Sequence, residues 1–294
     1  MAAASEAAVA GPQFVVGPGE MRRELLAARA AGRRIGFVPT MGALHAGHVS
    51  LIDRAAAECD DVAVSVFVNP TQFGPEEDFT RYPRNLEADL ARLAGHGVRW
   101  VFAPSVEAVY PQAHATRIVV AGPALGFEGD LRPGHFTGVA TVVCWLFQAV
   151  PAHAAYFGAK DWQQTRVVSR MVADLGLPVE VIVCPTEREP DGLALSSRNT
   201  YLSPADRQRA VALSRALAEA AGLWSTGAGI SPIESAMRAT MESAGIGVDY
   251  AAVVDAESLG PITTGAAVAL VAGRLGTTRL IDNRLLPPRG ATSR

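Results

Sequence analysis

Lysine is almost absent from this sequence of 294 residues. Of its 26 lysine and arginine residues, only Lys160 is a lysine. The chain also lacks any block of basic residues, and its net charge is −3. This composition argues against a protein that holds nucleic acid through many phosphate contacts. It leaves room for a small anionic ligand, which needs only a few cations placed close together.

Cysteine is scarce as well, and long apolar runs are missing. Cys59, Cys144 and Cys184 lie far apart without CxxC spacing, so neither a disulfide framework nor a structural zinc site is expected. We therefore expect a protein of the reducing cytoplasm. No apolar run is long enough to span a membrane. The N-terminal stretch MAAASEAAVAGP lacks the basic leader of a signal peptide, and we expect a disordered tail there.

The first two thirds of the chain alternate between helical periodicity and short apolar runs. This alternation predicts a parallel sheet with helices on both faces. The expected strands are 33–40, 61–70, 98–105, 154–158 and 179–186, and the expected helices are 21–32, 44–59, 85–97, 138–150 and 161–176.

The character of the sequence changes after Arg188. Turn residues dominate the stretch EPDGLALSSRNTYLS, and a helix is expected from Ser203, an N-cap residue followed by Pro204. Alternating apolar runs nearer the C-terminus indicate a small antiparallel sheet. The sequence thus predicts an α/β fold, with a Rossmann-like parallel-sheet domain over residues 1–188 and a smaller mixed α+β domain over residues 189–294.

A polar cluster, PTMGALHAGH, includes the end of the first predicted strand. His45 and His48 are three residues apart and are expected to share a helix face, while Gly42 and Gly47 let the backbone approach a ligand closely. Free N–H groups at a helix N-terminus attract anions, which favours a phosphate site. Two surface histidines or a metal-binding pair are the alternatives, and the sequence offers no evident third ligand nearby.

Lys160 lies at the carboxyl end of a predicted strand, where ligands bind in open parallel sheets. An ammonium is a compact charge and a guanidinium a wide planar fork, so a narrow phosphate pocket can require lysine; a solvated surface lysine is the alternative. The run Ser196–Arg198 suits phosphate oxygens, although a capped turn explains it about as well. Gln72 lies in a loop from Asn69 to Arg84 that is either a lid or solvated. Together with Gln164 it could bind a small polyol or hydroxy acid, and the alternative is that either glutamine is an ordinary surface amide.

Five motifs occur in one order along the chain: PTMGALHAGH, FVNPTQFGPEEDFTRYPR, RPGHFTGVATVV, FGAKDWQQ and DGLALSSRNTYLS. Together they resemble the pantoate–β-alanine ligase (pantothenate synthetase) family of the HIGH-motif nucleotidyltransferase superfamily. The resemblance is dense over residues 30–215. It implies a Rossmann-like domain that binds ATP and pantoate, a smaller C-terminal lid domain and a homodimer. Neither nucleic acid nor a membrane is expected as a partner.

The resemblance also implies the reaction. The carboxylate of pantoate attacks the α-phosphate of ATP, which gives pantoyl adenylate and pyrophosphate. The amine of β-alanine then attacks the acyl carbon, which gives pantothenate, a precursor of coenzyme A, and AMP. ATP is thus a substrate and Mg²⁺ accompanies it, with no protein ligands of the metal assigned.

Individual roles carry over by position in the motifs. The family's proton donor corresponds to His48, and His45 and Lys160 are the other expected catalytic residues. Gln72 and Gln164 are expected to bind pantoate, with Gln72 also contacting β-alanine. The residues expected to bind ATP are Met41, Gly42, Ala43, Leu44, His45, Ala46, Gly47, His48, Gly158, Ala159, Lys160, Asp161, Glu187, Leu195, Ser196, Ser197 and Arg198.

Three positions depart from the family pattern. Ala159 stands where glutamate is usual, Leu195 replaces a usual methionine, and Trp145 stands where lysine is frequent. We expect these changes to tune ATP affinity or helix packing and to leave the catalytic residues intact. Two rival functions are a nucleotidyltransferase of the same fold and a nucleotide-binding regulatory protein without turnover. The loop from Asn69 to Arg84 and the two glutamines favour the ligase over the first, and intact histidines favour an enzyme over the second.

Overall fold

The computed structural model describes residues 11–75, 77–263 and 265–289. The expected N-terminal tail lies outside these residues, apart from Gly11 and Pro12. Within the described part of the chain, two sheets organise the molecule, one parallel and one antiparallel.

The larger sheet has six strands, all parallel. They are β1 (Gln13–Val15), β2 (Ile35–Thr40), β3 (Asp61–Val66), β4 (Val98–Phe102), β5 (Ala154–Gly158) and β6 (Glu180–Cys184), in the spatial order β1-β4-β3-β2-β5-β6. The chain adds β3 and β4 on one side of β2, and then returns to place β5 on the other side. The order therefore reverses between β2 and β5, and ligands of open α/β sheets bind beyond the strand ends at such a point.

Helices cover both faces of this sheet because successive strand residues point to opposite faces. On one face Phe37 and Trp100 lie in a buried cluster with residues of α1 (Pro18–Ala30), α6 (His135–Ala149) and α7 (Trp162–Asp174). On the other face, Val38 packs with residues of α2 (Ala46–Glu58) and α3 (Leu86–Leu93). Two short helices, α4 (Val106–Val109) and α5 (Phe127–Leu131), lie between β4 and α6.

The C-terminal part has its own core. Strands β7 (Gly247–Asp255), β8 (Ala267–Leu275) and β9 (Thr278–Leu286) form the antiparallel sheet, and α8 (Pro204–Ala210), α9 (Ala212–Ser225) and α10 (Ile230–Ser243) precede it. Apolar residues of α9, α10 and the sheet share one buried cluster. The predicted fold class, a Rossmann-like parallel sheet followed by a smaller mixed α+β part, is confirmed.

Two strands were not predicted from the sequence, and the helix after β2 begins two residues later than expected. Strand β1 has three residues and only one of them is buried, so it carries no apolar run. Strand β9 contains Arg279, Asp282 and Asn283 among its apolar residues, which breaks the alternating pattern. The helix expected from Leu44 begins at Ala46, because the preceding backbone forms a turn.

Helix α6 lies close against the short 3₁₀ turn Pro70–Gln72 at the start of the loop that carries Gln72. A Cβ atom on Gly138 would overlap the carbonyl oxygen of Thr71 and lie 2.8 Å from the backbone nitrogen of Gln72. Backbone atoms cannot yield as a flexible side chain can, so glycine at this position fixes the distance between the helix and the turn.

Gly138→Ala should therefore destabilise the protein by about 1–3 kcal/mol, the scale of an overpacked core. Gly222→Ala is the matched control, since a Cβ atom there meets nothing within 4 Å and alanine favours a helix. Urea unfolding of both variants checks the contrast. Equal stabilities of the two variants would show that α6 and the turn separate without cost.

Candidate active site

A cleft of about 230 Å³ opens beyond the carboxyl ends of β2 and β5. Most of the residues predicted to bind a ligand line it: Met41, His45, Gly47, His48, Gln72, Gly158, Lys160, Asp161, Gln164, Glu187, Leu195, Ser196, Ser197 and Arg198. They come from segments far apart in the sequence, and the β2–β5 pairing brings them together. A wider cleft adjoins this one, and the residues that line both are Phe73, Arg132, His135, Lys160, Asp161, Ser196 and Arg198.

Five residues predicted to bind ATP do not line the cleft with the others: Gly42, Ala43, Leu44, Ala46 and Ala159. Leu44 is buried in the core beside α2, and Ala46 is exposed. Ala159 packs partly buried against Trp162, on the side of the C-terminal sheet. These five residues therefore do not line the cleft in the structure, and their role in binding ATP stays a prediction.

A buried carboxylate shapes the turn between β2 and α2. Asp89, which is 4% exposed on α3, accepts hydrogen bonds from the backbone N–H groups of Ala43 at 3.1 Å and Leu44 at 2.8 Å. Gly42 and Ala43 both have positive φ, at 78° and 50°. A Cβ atom on Gly42 would lie 2.8 Å from the Asp89 carboxylate, so this turn requires glycine. No local pattern pointed to Asp89, because its partners lie over forty residues away.

The two histidines exchange hydrogen bonds at the start of α2. His45 is the N-cap residue with extended backbone, and its Nδ1 accepts from the Gly47 N–H at 3.2 Å. Nδ1 of His48 accepts from the His45 N–H at 3.2 Å. The predicted shared helix face is thus wrong for His45, which precedes the helix and satisfies its free N–H groups. The rings nevertheless lie together, with centroids 4.1 Å apart.

These contacts fix the protonation of both rings. Burial lowers the pKa of His45 to about 4, and the positive charge of Lys160 adds to the effect. Burial lowers the pKa of His48 to about 3, assisted by His45. Both rings are therefore neutral at pH 7, and each Nδ1 is an acceptor, so each ring carries its proton on Nε2. The site presents two neutral N–H donors.

A side chain of the C-terminal part holds the backbone of the turn that carries Lys160. The 3₁₀ turn Ala159–Asp161 follows β5, and Nδ2 of Asn283 donates to the carbonyl oxygens of Ala159 at 2.8 Å and Lys160 at 2.7 Å. The ammonium of Lys160 lies 3.6 Å from the Asp161 carboxylate and its side chain is 19% exposed. Asn283 lies on the unpredicted strand β9, which is why the sequence did not reveal this contact.

The run Ser196–Arg198 is both a capped turn and part of the cleft. The Ser196 hydroxyl accepts from the Arg198 N–H at 3.3 Å and caps a 3₁₀ turn. This is the capped turn that the sequence offered as the alternative to a phosphate site. The Arg198 side chain reaches back to the loop from Asn69 to Arg84, where its Nε and Nη2 donate to the Asp78 carboxylate at 3.1 and 3.0 Å. Arg198 therefore lies in the cleft with an acidic partner from that loop.

The two glutamines lie on different walls of the cleft. Gln164 is on α7, one helical turn beyond Lys160. Gln72 is held in place, since its Oε1 accepts from Asn69 Nδ2 at 3.0 Å and its Nε2 lies 3.0 Å from the Met41 sulfur. The backbone oxygen of Gln72 also accepts from the ring of His135 at 2.8 Å.

Two residues of the motif RPGHFTG belong to this site without having been assigned a role. Arg132 and His135 line the cleft, and both contact the backbone of Gln72. The only signal in the sequence was a basic residue and a histidine just before an apolar helix. The described residues contain no group of three or more His, Cys, Asp or Glu side chains that could hold a metal ion.

Comparison with known proteins identifies the relatives of this chain. A family model described as pantoate-β-alanine ligase matches residues 14–285. A pantothenate synthetase from Roseiflexus sp. strain RS-1 is 52% identical over 268 residues, which cover 90% of this chain and 96% of the relative. The crystal structure of pantothenate synthetase from Thermus thermophilus has a TM-score of 0.87 at 49% identity, covering 92% of this chain and 98% of that one. A pantoate-β-alanine ligase from Francisella tularensis, crystallised with "Beta-gamma ATP" and β-alanine, has a TM-score of 0.78 at 34% identity, with 94% and 98% covered.

The protonation of His45 and His48 can be measured directly. Neither ring should take up a proton between about pH 8 and pH 5.5, whereas an unperturbed histidine titrates near 6.5. As the pH falls from about 6.5 towards these lowered pKa values, the unfolded chain binds protons that the folded site refuses, so the free energy of unfolding falls. NMR of the ring nitrogens, assigned with His45→Gln and His48→Gln, checks the state. A midpoint near 6.5, or a proton on Nδ1, would contradict the geometry.

Proposed function

The chain belongs to the pantoate–β-alanine ligase family, and we propose that it joins its two substrates in two steps, through pantoyl adenylate. Family membership confirms the resemblance carried by the five motifs, and makes the chain an enzyme of pantothenate biosynthesis. It also favours a ligase over the two rival functions. The observation that supports the mechanism is the cleft itself, where two neutral histidine donors and Lys160 face the same space as Gln72 and Gln164.

In the first step a carboxylate oxygen of pantoate attacks the α-phosphorus of ATP. A new O–P bond forms, the bond from the α-phosphorus to the bridging oxygen breaks, and pyrophosphate leaves with the electron pair. The carboxylate is already ionised at neutral pH, so no strong base is required. The step needs positioning and stabilisation of the charge that develops on the phosphate oxygens.

His45 and His48 supply that stabilisation in our proposal. Their Nε2–H groups donate hydrogen bonds to α-phosphate oxygens and to the leaving pyrophosphate. His48 acts as the proton donor after it has taken up a second proton, which it passes to the leaving pyrophosphate, so that the ring returns to its neutral form. Neutral donors leave the positive charge to Lys160 and Arg198, and they do not repel these cations. Approach of an anionic phosphate favours protonation of the rings, because an opposite charge raises the pKa of a histidine.

The remaining roles are proposed on the same basis. Lys160, Ser196, Ser197 and Arg198 hold the polyphosphate, and Asp161 takes the ribose hydroxyls. Met41, Glu187 and Leu195 border the nucleotide. The backbone N–H of Leu195 donates to the carbonyl of Glu187 at 2.9 Å, which ties these two segments together. Gln72 and Gln164 hold pantoate, and Gln72 also contacts β-alanine.

In the second step the nitrogen of β-alanine attacks the acyl carbon. A C–N bond forms, the bond from the acyl carbon to the phosphate oxygen breaks, and AMP leaves with the electron pair. The ammonium of β-alanine loses two of its three protons before the amide is complete. ATP and β-alanine as substrates are supported by the Francisella tularensis relative, which was crystallised with β-alanine and a ligand named for ATP.

The described residues do not form a cage for Mg²⁺ on their own. Magnesium is commonly bound through substrate phosphates and water with one or two carboxylates, so we propose that it enters with ATP. Placement in the cytoplasm is proposed from the three free cysteines. None of the described helices is long and apolar enough to cross a membrane.

A homodimer is proposed from the exposed apolar residues between α4 and α5. In this stretch Val119 is 77% exposed and Leu125 is 65% exposed. Sedimentation velocity distinguishes the dimer from a monomer.

We also propose a domain boundary near residue 189, with the C-terminal part acting as a lid. Asn283 reaches the Lys160 turn from that part, so the C-terminal part already contacts one wall of the cleft.

Isotope exchange tests the first step and the lone lysine together. Labelled pyrophosphate should enter ATP when pantoate is present and β-alanine is absent. Lys160→Arg should fold normally and lose most of this exchange, because a planar fork cannot sit between phosphate oxygens as an ammonium does. Pre-formed pantoyl adenylate should restore much of its second step, since pyrophosphate has left by then.

Two outcomes would count against the proposal. Exchange that strictly requires β-alanine would contradict a separate adenylation step. Exchange by Lys160→Arg at close to the wild-type rate would show that arginine serves equally well. Lys160→Ala is the control for loss of charge, and it should be at least as impaired as Lys160→Arg.

A further inference from the structure

The carboxylate of Glu77 forms a two-pronged ion pair with Arg132. Nε of Arg132 donates to Oε1 of Glu77 at 2.7 Å, and Nη2 donates to Oε2 at 2.7 Å. Glu77 belongs to the loop from Asn69 to Arg84, and the side chain of Arg132 is 15% exposed. This side-by-side geometry is the one in which a guanidinium recognises a carboxylate. The chain itself thus shows that a carboxylate fits on this edge of Arg132.

A neutral histidine, His135, holds the guanidinium of Arg132 at its Nη1 atom. Nδ1 of His135 donates to the backbone oxygen of Gln72 at 2.8 Å, so its Nε2 is free to accept from Nη1 of Arg132 at 3.0 Å. Burial and the charge of Arg132 lower the pKa of His135 to about 4, which keeps the ring neutral. The buried carboxylate of Glu128 lies 3.9 Å from Nη1. The guanidinium is therefore preorganised, with its Nε–Nη2 edge turned to the loop and the cleft.

The position of Arg132 matches the amine substrate. Its Nη2 also lies 3.3 Å from the backbone oxygen of Gln72, whose side chain is proposed to hold pantoate. The amine of β-alanine must reach the acyl carbon of pantoate, and its carboxylate is only two methylene groups further on. A cation beside Gln72 is therefore within reach of that carboxylate.

A second arginine, Arg198, lines the same cleft as Arg132 and has a different acidic partner. Arg198 lies there with Lys160, and it is paired with Asp78 rather than with Glu77. Two neighbouring acidic residues of one loop are thus paired with two different arginines. Glu77 is paired with Arg132, beside Gln72, and Asp78 is paired with Arg198, in the proposed polyphosphate site. The contact with Gln72 is what assigns the amine substrate to Arg132 rather than to Arg198.

We propose that Arg132 binds the carboxylate of the amine substrate, and that Glu77 occupies this position until the substrate displaces it. Arg132 is then the residue that selects an amino acid over a simple amine, with His135 as its positioning residue. The assignment rests on the proposed two-step function, because it places the amine in the second step only.

Arg132→Gln tests the assignment by separating the two steps. Its kcat/KM for β-alanine should fall roughly 10- to 100-fold, the scale for losing a hydrogen-bonded charge. Pantoate-dependent exchange of pyrophosphate into ATP, measured without β-alanine, should fall far less. The amide of β-alanine keeps the amine and has no carboxylate. The wild-type enzyme should strongly prefer β-alanine to this amide, and Arg132→Gln should lose most of that preference.

Variants of the two acids supply matched controls. Glu77→Gln removes the competing charge from Arg132 and should lower the KM for β-alanine. Asp78→Asn changes the neighbouring acid, and it should alter the dependence on ATP while the preference for β-alanine over its amide stays as in the wild type. Arg132→Lys keeps the charge without the fork and should recover part of the preference.

The outcomes separate the possible failures. Equal losses of exchange and of overall turnover in Arg132→Gln would overturn the assignment, because they indicate a structural or phosphate-binding role. An unchanged preference for β-alanine over its amide would overturn it as well. If the wild-type enzyme shows no pantoate-dependent exchange, the two-step function fails instead, while the preference in the overall reaction still reports on Arg132.

Discussion

The pairing of β2 with β5 is the constraint on which the active site depends. These strands are neighbours in the sheet although the chain builds β3, β4 and the helices α2 to α6 between them. Their adjacent carboxyl ends bring the histidine turn and the Lys160 turn to one cleft. Each turn is then fixed by a distant polar side chain, the first by Asp89 and the second by Asn283. Neither turn holds its shape through local sequence alone.

Charge in the cleft is balanced within the chain. Lys160 lies near Asp161, Arg198 is paired with Asp78, and Arg132 with Glu77. Partly buried cations need such partners, since an unpaired charge away from water is costly. In the proposed reaction anionic substrates take over the same positions, because phosphate and carboxylate oxygens match what the loop acids provide. The two neutral histidines supply hydrogen bonds beside these cations without adding to their charge.

The sequence predicted the parts of the molecule that local pattern determines. Continuous apolar runs revealed five of the six parallel strands, and the glycine and histidine motif placed the cleft at a strand end. Contacts across long sequence separations were out of reach, which is why Asp89, Asn283 and the contacts of Arg132 and His135 with the backbone of Gln72 appeared only in the structure. The position of His45 was mistaken because residue spacing does not distinguish an N-cap from the first helical turn. Strand β9 was missed because its polar residues face the Lys160 turn and Arg188 instead of continuing an apolar alternation.

The central claim is that a pantoate carboxylate oxygen attacks the α-phosphate of ATP in this cleft. Pantoate labelled with ¹⁸O in its carboxylate, incubated with the enzyme, ATP and β-alanine, tests it most directly through mass spectrometry of the products. The account predicts that one labelled oxygen appears in each AMP and that the other stays in pantothenate. Unlabelled AMP, or label in inorganic phosphate with formation of ADP, would contradict it.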